Sequence, residues 1–238
     1  MQGPIRILSL VLCFMAAPAI AAQPALPKVI QASYEVTKNG QPFANVHERY
    51  VVSGSHYKVE SVTKGIGVYA LFGERKLTST GEVTSQGLKP AQFELQQGNN
   101  PKKALFADFD WAKSNLKMTV KGTAKDEALA AGTQDLASYA YQFMFLPAPL
   151  TEAITVTLTT GKKLNQYPYK INAEPVSIAV AGKQYKTLHL VPSNQSKEQT
   201  ETKELWLAVD HFYLPVRILM VEDNGAQIDQ TLTELHVE

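Results

Sequence analysis

The sequence predicts a mainly β protein: a single highly curved antiparallel sheet, or a half-barrel or barrel, with one amphipathic helix packed against it. Three observations predict this. Turn signals recur at short spacing, at Asn39-Gly40, Ser53-Gly54, Gly98-Asn99, Gly161, Ala181-Gly182 and Asn224-Gly225. The runs between them are rich in Val, Thr, Tyr and Phe and often alternate apolar with polar residues, and tight turns can join only antiparallel neighbours. A single segment departs from the two-residue period and follows a helical one.

The first hairpin reads QASYEVTK, Asn39-Gly40, FANVHERYVV, with Tyr34 and Val36 on one face and Ser33, Glu35 and Thr37 on the other. Asn-Gly marks the turn because both central residues of a type I′ turn need positive φ. HYKVESVT supplies the next strand after Ser53-Gly54. GVYALFG, residues 67–73, fits either a helical turn or a buried loop. Strands follow over residues 75–83, 91–97, 104–110 and 116–121. KGTAKDEALAAG, residues 121–132, is polar and rich in small residues; of a domain boundary and a long surface connection inside one sheet system, the second is the expectation, because each half alone would leave open strand edges. In TQDLASYAYQFMFLP, Gln134, Asp135, Ser138 and Gln142 fall within about 100° of one another at helical spacing, with Leu136, Tyr139, Ala140, Phe143 and Met144 filling much of the rest. This predicts an amphipathic helix over residues 134–145, capped by Thr133, favoured by Asp135 at its positive end and stopped by Pro147. The remaining strands fit residues 154–160, 169–173, 176–181, 185–191, 203–209, 214–222 and 227–236.

Residues 1–22 read as an export signal: Arg6, the apolar run ILSLVLCFMAA, Pro18, then small residues that place cleavage after Ala21 or Ala22. The run is shorter than the roughly 20 residues of a membrane span. Leu12 before Cys13 is too large for a lipoprotein signal. The expected mature protein, residues 23–238, is a periplasmic chain forming one β-rich domain, without a membrane span and without cysteine. Thiol chemistry and cysteine zinc sites are thereby excluded. Losing Arg6 leaves 22 basic and 22 acidic residues, so no basic surface speaks for nucleic acid. Lys102-Lys103 and Lys162-Lys163 read as solvated loop pairs.

No G-x-S-x-G, phosphate loop, H-E-x-x-H or G-x-G-x-x-G is present. Asp108 and Asp110 in FADFDW share one strand face about 6.5–7 Å apart, a spacing that could serve a glycosidase. Phe109 and Trp111 on the other face make them two carboxylates on a wetted face instead. The five histidines lack ligand spacing, so no metal and no cofactor is expected. KELWLAVDHFYLPVRILMVEDNG reads as a hairpin whose return strand is apolar on both faces except at Arg217. A charge there must be paired, snorkelling or facing a ligand, and an ion pair is the expectation.

LWLAVDHFYLPVRI with its acidic-Asn-Gly turn and IDQTL resembles the DUF3108 family of exported bacterial proteins. GVYALFGERKLTSTGEVTSQGLKPAQF and QDLASYAYQF agree. The resemblance implies an exported β-rich protein and transfers no catalytic residue. Three functional readings compete. The first is a non-catalytic periplasmic protein that binds or carries an apolar or amphiphilic, lipid-like ligand inside the curved sheet, with Tyr139, Phe143, Phe145, Trp206, Tyr213 and Arg217 as lining residues. The second is a cell-envelope structural or assembly factor working through protein or cell-wall contacts. The third is a hydrolase using Asp108 and Asp110. In all three the interior is expected to be apolar.

Overall fold

The computed structural model describes residues 25–238 except 99, 152, 173–174 and 194–200. The export signal expected over residues 1–22 lies outside the described residues.

Sixteen strands form one sheet: β1 (Val29–Lys38), β2 (Gln41–Ser53), β3 (His56–Gly65), β4 (Arg75–Thr84), β5 (Gly87–Gln97), β6 (Leu105–Asp110), β7 (Asn115–Val120), β8 (Thr123–Ala128), β9 (Gln134–Asp135), β10 (Ile154–Thr159), β11 (Leu164–Ile171), β12 (Val176–Val180), β13 (Lys183–Pro192), β14 (Thr202–Ala208), β15 (Leu214–Val221) and β16 (Gln227–Val237). Their order is β8-β7-β6-β5-β4-β3-β2-β1-β16-β15-β14-β13-β11-β10-β9, with β12 attached to β13. Chain neighbours are sheet neighbours almost throughout, as the punctuation of turns predicts. Among the described residues every pairing is antiparallel except that of β9 with β10. Asn39 and Gly40 sit at φ 50° and 76°, the positive angles that their turn requires.

The sheet closes on itself without a continuous ladder. β9 ends the strand order, and its seam with β4 and β5 is made by side chains. Gln134 Nε2 donates to the Leu88 carbonyl (2.8 Å), the Leu88 N–H donates to Gln142 Oε1 (2.7 Å), and Ser79 Oγ donates to Asp135 (2.6 Å). The wing β6–β7–β8 overlaps β10: Thr159 Oγ1 reaches Met118 Sδ at 3.2 Å, and Gly161 touches Leu105 and Phe93. The architecture is therefore a scroll. Its inward positions, every second residue of each strand, form the main core with Tyr50, Val59, Phe93, Leu116, Leu205 and Leu207.

The expected helix over residues 134–145 is corrected. The helix α1 is short, Tyr139–Gln142, and continues as a 3-10 turn over Phe143–Phe145. Gln134 and Asp135 belong to β9, and the Thr133 hydroxyl donates to the Ala130 carbonyl instead of capping a helix. Gln134, Asp135 and Ser138, expected as a polar stripe, are buried. The Asp135 carboxylate explains the change, because it accepts from the backbone N–H of Ala137 and of Ser138, both at 2.9 Å, and stops the helix from starting earlier. The expected connection over residues 121–132 contains β8, an edge strand. Residues 67–72 form an exposed 3-10 turn, not a buried loop.

Two outcomes follow for this plug of β9 and α1. Gly87 adopts φ 114°, and a Cβ there would lie 2.3 Å from the Gln142 amide that holds Leu88. Gly87→Ala is expected to destabilise the fold by about 2 kcal/mol in urea unfolding, from backbone strain plus the lost hydrogen bond. Burial raises the Asp135 carboxyl to about 6, against hydrogen bonds from Ser79, Ser138 and Ala137 that lower it. A raised carboxyl binds its proton more tightly in the folded state, so its contribution to stability is greatest below pH ~4 and is lost as pH rises through ~6. The stability of the native sequence relative to Asp135→Asn should therefore grow by about 2 kcal/mol between pH 7 and pH 4. Equal differences at the two pH values would refute this assignment.

Candidate functional site

The concave face carries ionisable side chains where its alternation calls for apolar ones. Glu48 shares parity with Val46 and Tyr50 on β2, Arg75 with Leu77 on β4, and Lys203 with Leu205 and Leu207 on β14. The register sets Val46 beside Thr63 and Thr63 beside Arg75, and on the opposite wall Lys203 beside Met220 and Met220 beside Ile228. Between these walls and α1 lies a cavity of about 270 Å³. Apolar groups line part of it, among them Leu77, Ala137, Ala140, Ile218 and Met220, with Tyr34, Tyr139 and Tyr167. The expectation of a purely apolar interior is thus corrected.

Each charge has a distinct environment. Glu48 accepts from Ser61 Oγ and from Tyr141 OH, both at 3.1 Å, and the Tyr141 ring stacks on Tyr50 at 5.0 Å. Burial pushes the Glu48 carboxyl up, while the two hydroxyls pull it down. Lys203 is 8% exposed, and its Nζ lies 5.2 Å from the Tyr139 ring centre and 5.8 Å from that of Tyr167. Burial pulls its ammonium down, Glu201 pushes it up, and the charge of Arg75 pulls it down. Arg75 is drawn below its usual range by burial, yet a guanidinium stays charged. Neither cation has a carboxylate within salt-bridge distance among the described residues. Tyr34 donates to the Pro215 carbonyl at 3.2 Å, and burial raises its hydroxyl far above its ordinary range.

Two cations facing one cavity, neither salt-bridged to a described residue, can hold an anion. Cation–π contact with two tyrosine rings lowers the cost of keeping Lys203 desolvated. Glu48 has both oxygens engaged, and Glu201 borders the same cavity from a partly exposed position. No group of three His, Cys, Asp or Glu side chains placed to hold a metal occurs among the described residues.

Of the six lining residues named from the sequence, Tyr139 lies on the cavity wall. Phe143 and Tyr213 are buried in the main core, and Phe145 packs against it. Trp206 occupies the opposite face of β14, stacked on His189 at 4.2 Å, and His189 Nε2 meets Glu204 at 2.7 Å. Arg217 lies over the Trp206 ring at 4.6 Å and forms two hydrogen bonds with Asp229 at 3.0 and 2.7 Å. Arg217 is thus ion-paired on that outer face, not directed at the cavity. Glu48, Arg75 and Lys203 escaped the sequence reading, although each breaks the parity of its strand. Asp108 is exposed, opposite Gln92 and Lys117. Asp110 pairs with Lys113 at 3.0 Å, which holds its carboxyl below the ordinary range. Neither aspartate adjoins the cavity. His47 lies opposite Val62 and His56 opposite Ser53, so the two rings stand on the order of 20 Å apart along the ladder.

No helix among the described residues is long and apolar enough to cross a membrane, which leaves strands unaddressed. No curated protein matches the sequence. A solved β-barrel-like protein of the domain of unknown function DUF1849 from Brucella abortus is similar over 90% of this chain and 99% of its own, at 10% identity and TM-score 0.54. A DUF1329 family protein from Desulfovibrio piger aligns over 89% of this chain and 86% of its own, at 9% identity and TM-score 0.23, so the likeness of fold rests on the first. The profile of the protein of unknown function DUF3108 matches residues 31–233, spanning the scroll from β1 to β16, and the chain belongs to that family.

Proposed function

We propose that this is an exported, non-catalytic envelope protein that binds a lipid-like amphiphile in its concavity, with the anionic end of the ligand between Arg75 and Lys203. The observation that carries the reading is a buried lysine, Lys203, and a half-buried arginine, Arg75, both free of salt bridges to described residues, on the wall of a half-apolar cavity. Burying a cation costs several kcal/mol unless a counter-charge offsets it. A phosphate or carboxylate completes both, and Tyr34, Ile218 and Met220 offer the adjoining chain an apolar surface. The volume of about 270 Å³ lies just below the roughly 300–1,000 Å³ of most small-molecule sites. It suits a head group and the first part of a chain, with the rest reaching outward.

The assembly-factor reading rests on open strand edges. β8, the outer edge of the scroll, carries Lys125, Asp126 and Glu127, charges that discourage strand addition. The hydrolase reading has an exposed Asp108 and an Asp110 paired with Lys113, neither on the wall of the cavity. The ligand-binding reading is the one supported by a concave site lined by both charged and apolar side chains.

Native mass spectrometry of the chain from Gln23 with dodecyl phosphate and with neutral dodecyl maltoside tests it. The phosphate is expected to bind more tightly. Arg75→Gln and Lys203→Met should each weaken it at least tenfold, in line with losing one partner of a buried charge pair. Ala140→Phe, which fills the cavity, should abolish binding in protein that still unfolds cooperatively, at a midpoint lowered by the overpacking. Absence of binding by either amphiphile would overturn the reading.

A further inference from the structure

The connection from β3 to β4 exposes large apolar side chains at the end of the scroll where the cavity lies. Val68, Leu71 and Phe72 are 70%, 87% and 70% exposed, and no residue of the 3-10 turn Gly67–Phe72 is buried. These side chains contribute nothing to the core. The turn is nevertheless firmly built. A Cβ on Gly65 would lie 2.3 Å from the Tyr69 carbonyl oxygen, so the chain doubles back there as closely as glycine permits. The Ile66 N–H donates to the Phe43 carbonyl at 2.9 Å, and the Tyr69 ring packs edge-on against Phe43 at 4.6 Å. Gln97 Nε2 donates to the Phe72 carbonyl at 3.3 Å. Tyr69 thus anchors a turn whose other large side chains face water.

The loops on one flank of this turn are rich in lysine. Gly73 abuts Gly98, which leads into Pro101–Lys103, and Gly161 abuts Leu105, so the adjoining loops converge on this end. They bring Lys102, Lys103, Lys121, Lys162 and Lys163, all exposed and none with a salt bridge to a described residue. Of the described acids at this end, Glu74 is shared between Lys64 and Lys76 at 3.1 and 3.7 Å and Glu222 is paired with Lys38 at 3.1 Å, while Glu201 and Asp223 lie on the far flank, toward β14 and β15. A fixed apolar wedge flanked by five lysines is complementary to an anionic lipid surface, where acyl chains receive the apolar groups and head groups receive the ammoniums.

We propose that this end of the scroll docks on an anionic bilayer surface, with Val68, Leu71 and Phe72 entering the acyl boundary and the five lysines resting on head groups. Thr63 and Arg75, on either side of the turn, line the cavity, so docking sets the cavity beside the head-group layer. The proposal stands independently of the ligand reading.

Co-sedimentation of the chain from Gln23 with vesicles of phosphatidylcholine alone, and of phosphatidylcholine mixed with phosphatidylglycerol, tests it. Binding is expected to the mixed vesicles and to weaken as salt is added. The double variant Leu71→Ser, Phe72→Ser should lose at least about tenfold in vesicle affinity, with its unfolding midpoint and dodecyl phosphate binding unchanged. Lys102→Gln with Lys103→Gln should cost about fivefold per lysine on mixed vesicles only. The emission of Phe72→Trp should shift to the blue on those vesicles. Failure of the native sequence to bind, or equal binding by the Leu71→Ser, Phe72→Ser variant, would overturn the proposal. So would lipid-free self-association that the same variant abolishes, because the surface would then belong to a second copy of the chain.

Discussion

The strands of the scroll are longer than the plug between them, and the site follows from that mismatch. β2 is 13 residues long, which corresponds to roughly 43 Å of strand. Tyr139–Phe145, the segment that fills the concavity, spans only about 12 Å as helix and 3-10 turn. Interiors close-pack wherever side chains can reach. Here the main core packs around the plug, while a cavity remains toward the end that carries the β3–β4 turn. Polar residues on inward positions are tolerated there because hydroxyls and aromatic rings replace part of their lost hydration.

The plug buries Tyr139, Tyr141, Phe143 and Met144 in the main core, and polar contacts fix where it sits. Asp135 receives Ser79 and two backbone N–H groups, Ser138 Oγ accepts from the Asp135 N–H at 3.0 Å, and Gln134 and Gln142 satisfy both backbone groups of Leu88. The first stretch of β5 extends past β6, which pairs only from Gln92 onward, so Leu88 presents an open strand edge. Two glutamine amides do the work of the missing strand. Such directional bonds fix the seam at one position, whereas an apolar contact could slide.

How much of this was legible follows from what each signal depends on. The hairpins were readable because a two-residue period and an Asn-Gly turn are local properties. β8 was not, because Thr123–Ala128 is a largely exposed edge with no buried face to impose a period. The helix was overextended because Gln134, Asp135 and Ser138 sit at helical spacing for a different reason, namely reaching β4, β5 and the backbone of the same turn. The ion pair of Arg217 was foreseeable from an apolar strand with one charge, although its partner Asp229 was not. The cavity charges left a local trace, since Glu48, Arg75 and Lys203 each take an inward place in an alternating strand. That they face one another depends on curvature, which no single strand encodes. The convergence of Lys102-Lys103 with Lys162-Lys163 likewise exists only in the folded scroll.

Site and plug cannot be separated. Tyr139 and Tyr141 are two residues apart on α1, hence about 200° apart around its axis, and so address opposite walls. Tyr141 donates to Glu48 on β2, while the ring of Tyr139 lies under Lys203 on β14. A barrel closed by a full ladder would have its radius fixed by strand number and stagger. A scroll closed by side chains instead takes its inner width from what stands between the walls, and here that is a single helical turn bearing two tyrosines. Any movement of that turn loosens the seam at Leu88 through Gln142 and disturbs the settings of Glu48 and Lys203 together. The same few residues that complete the fold therefore set the distance between the two charged walls of the cavity.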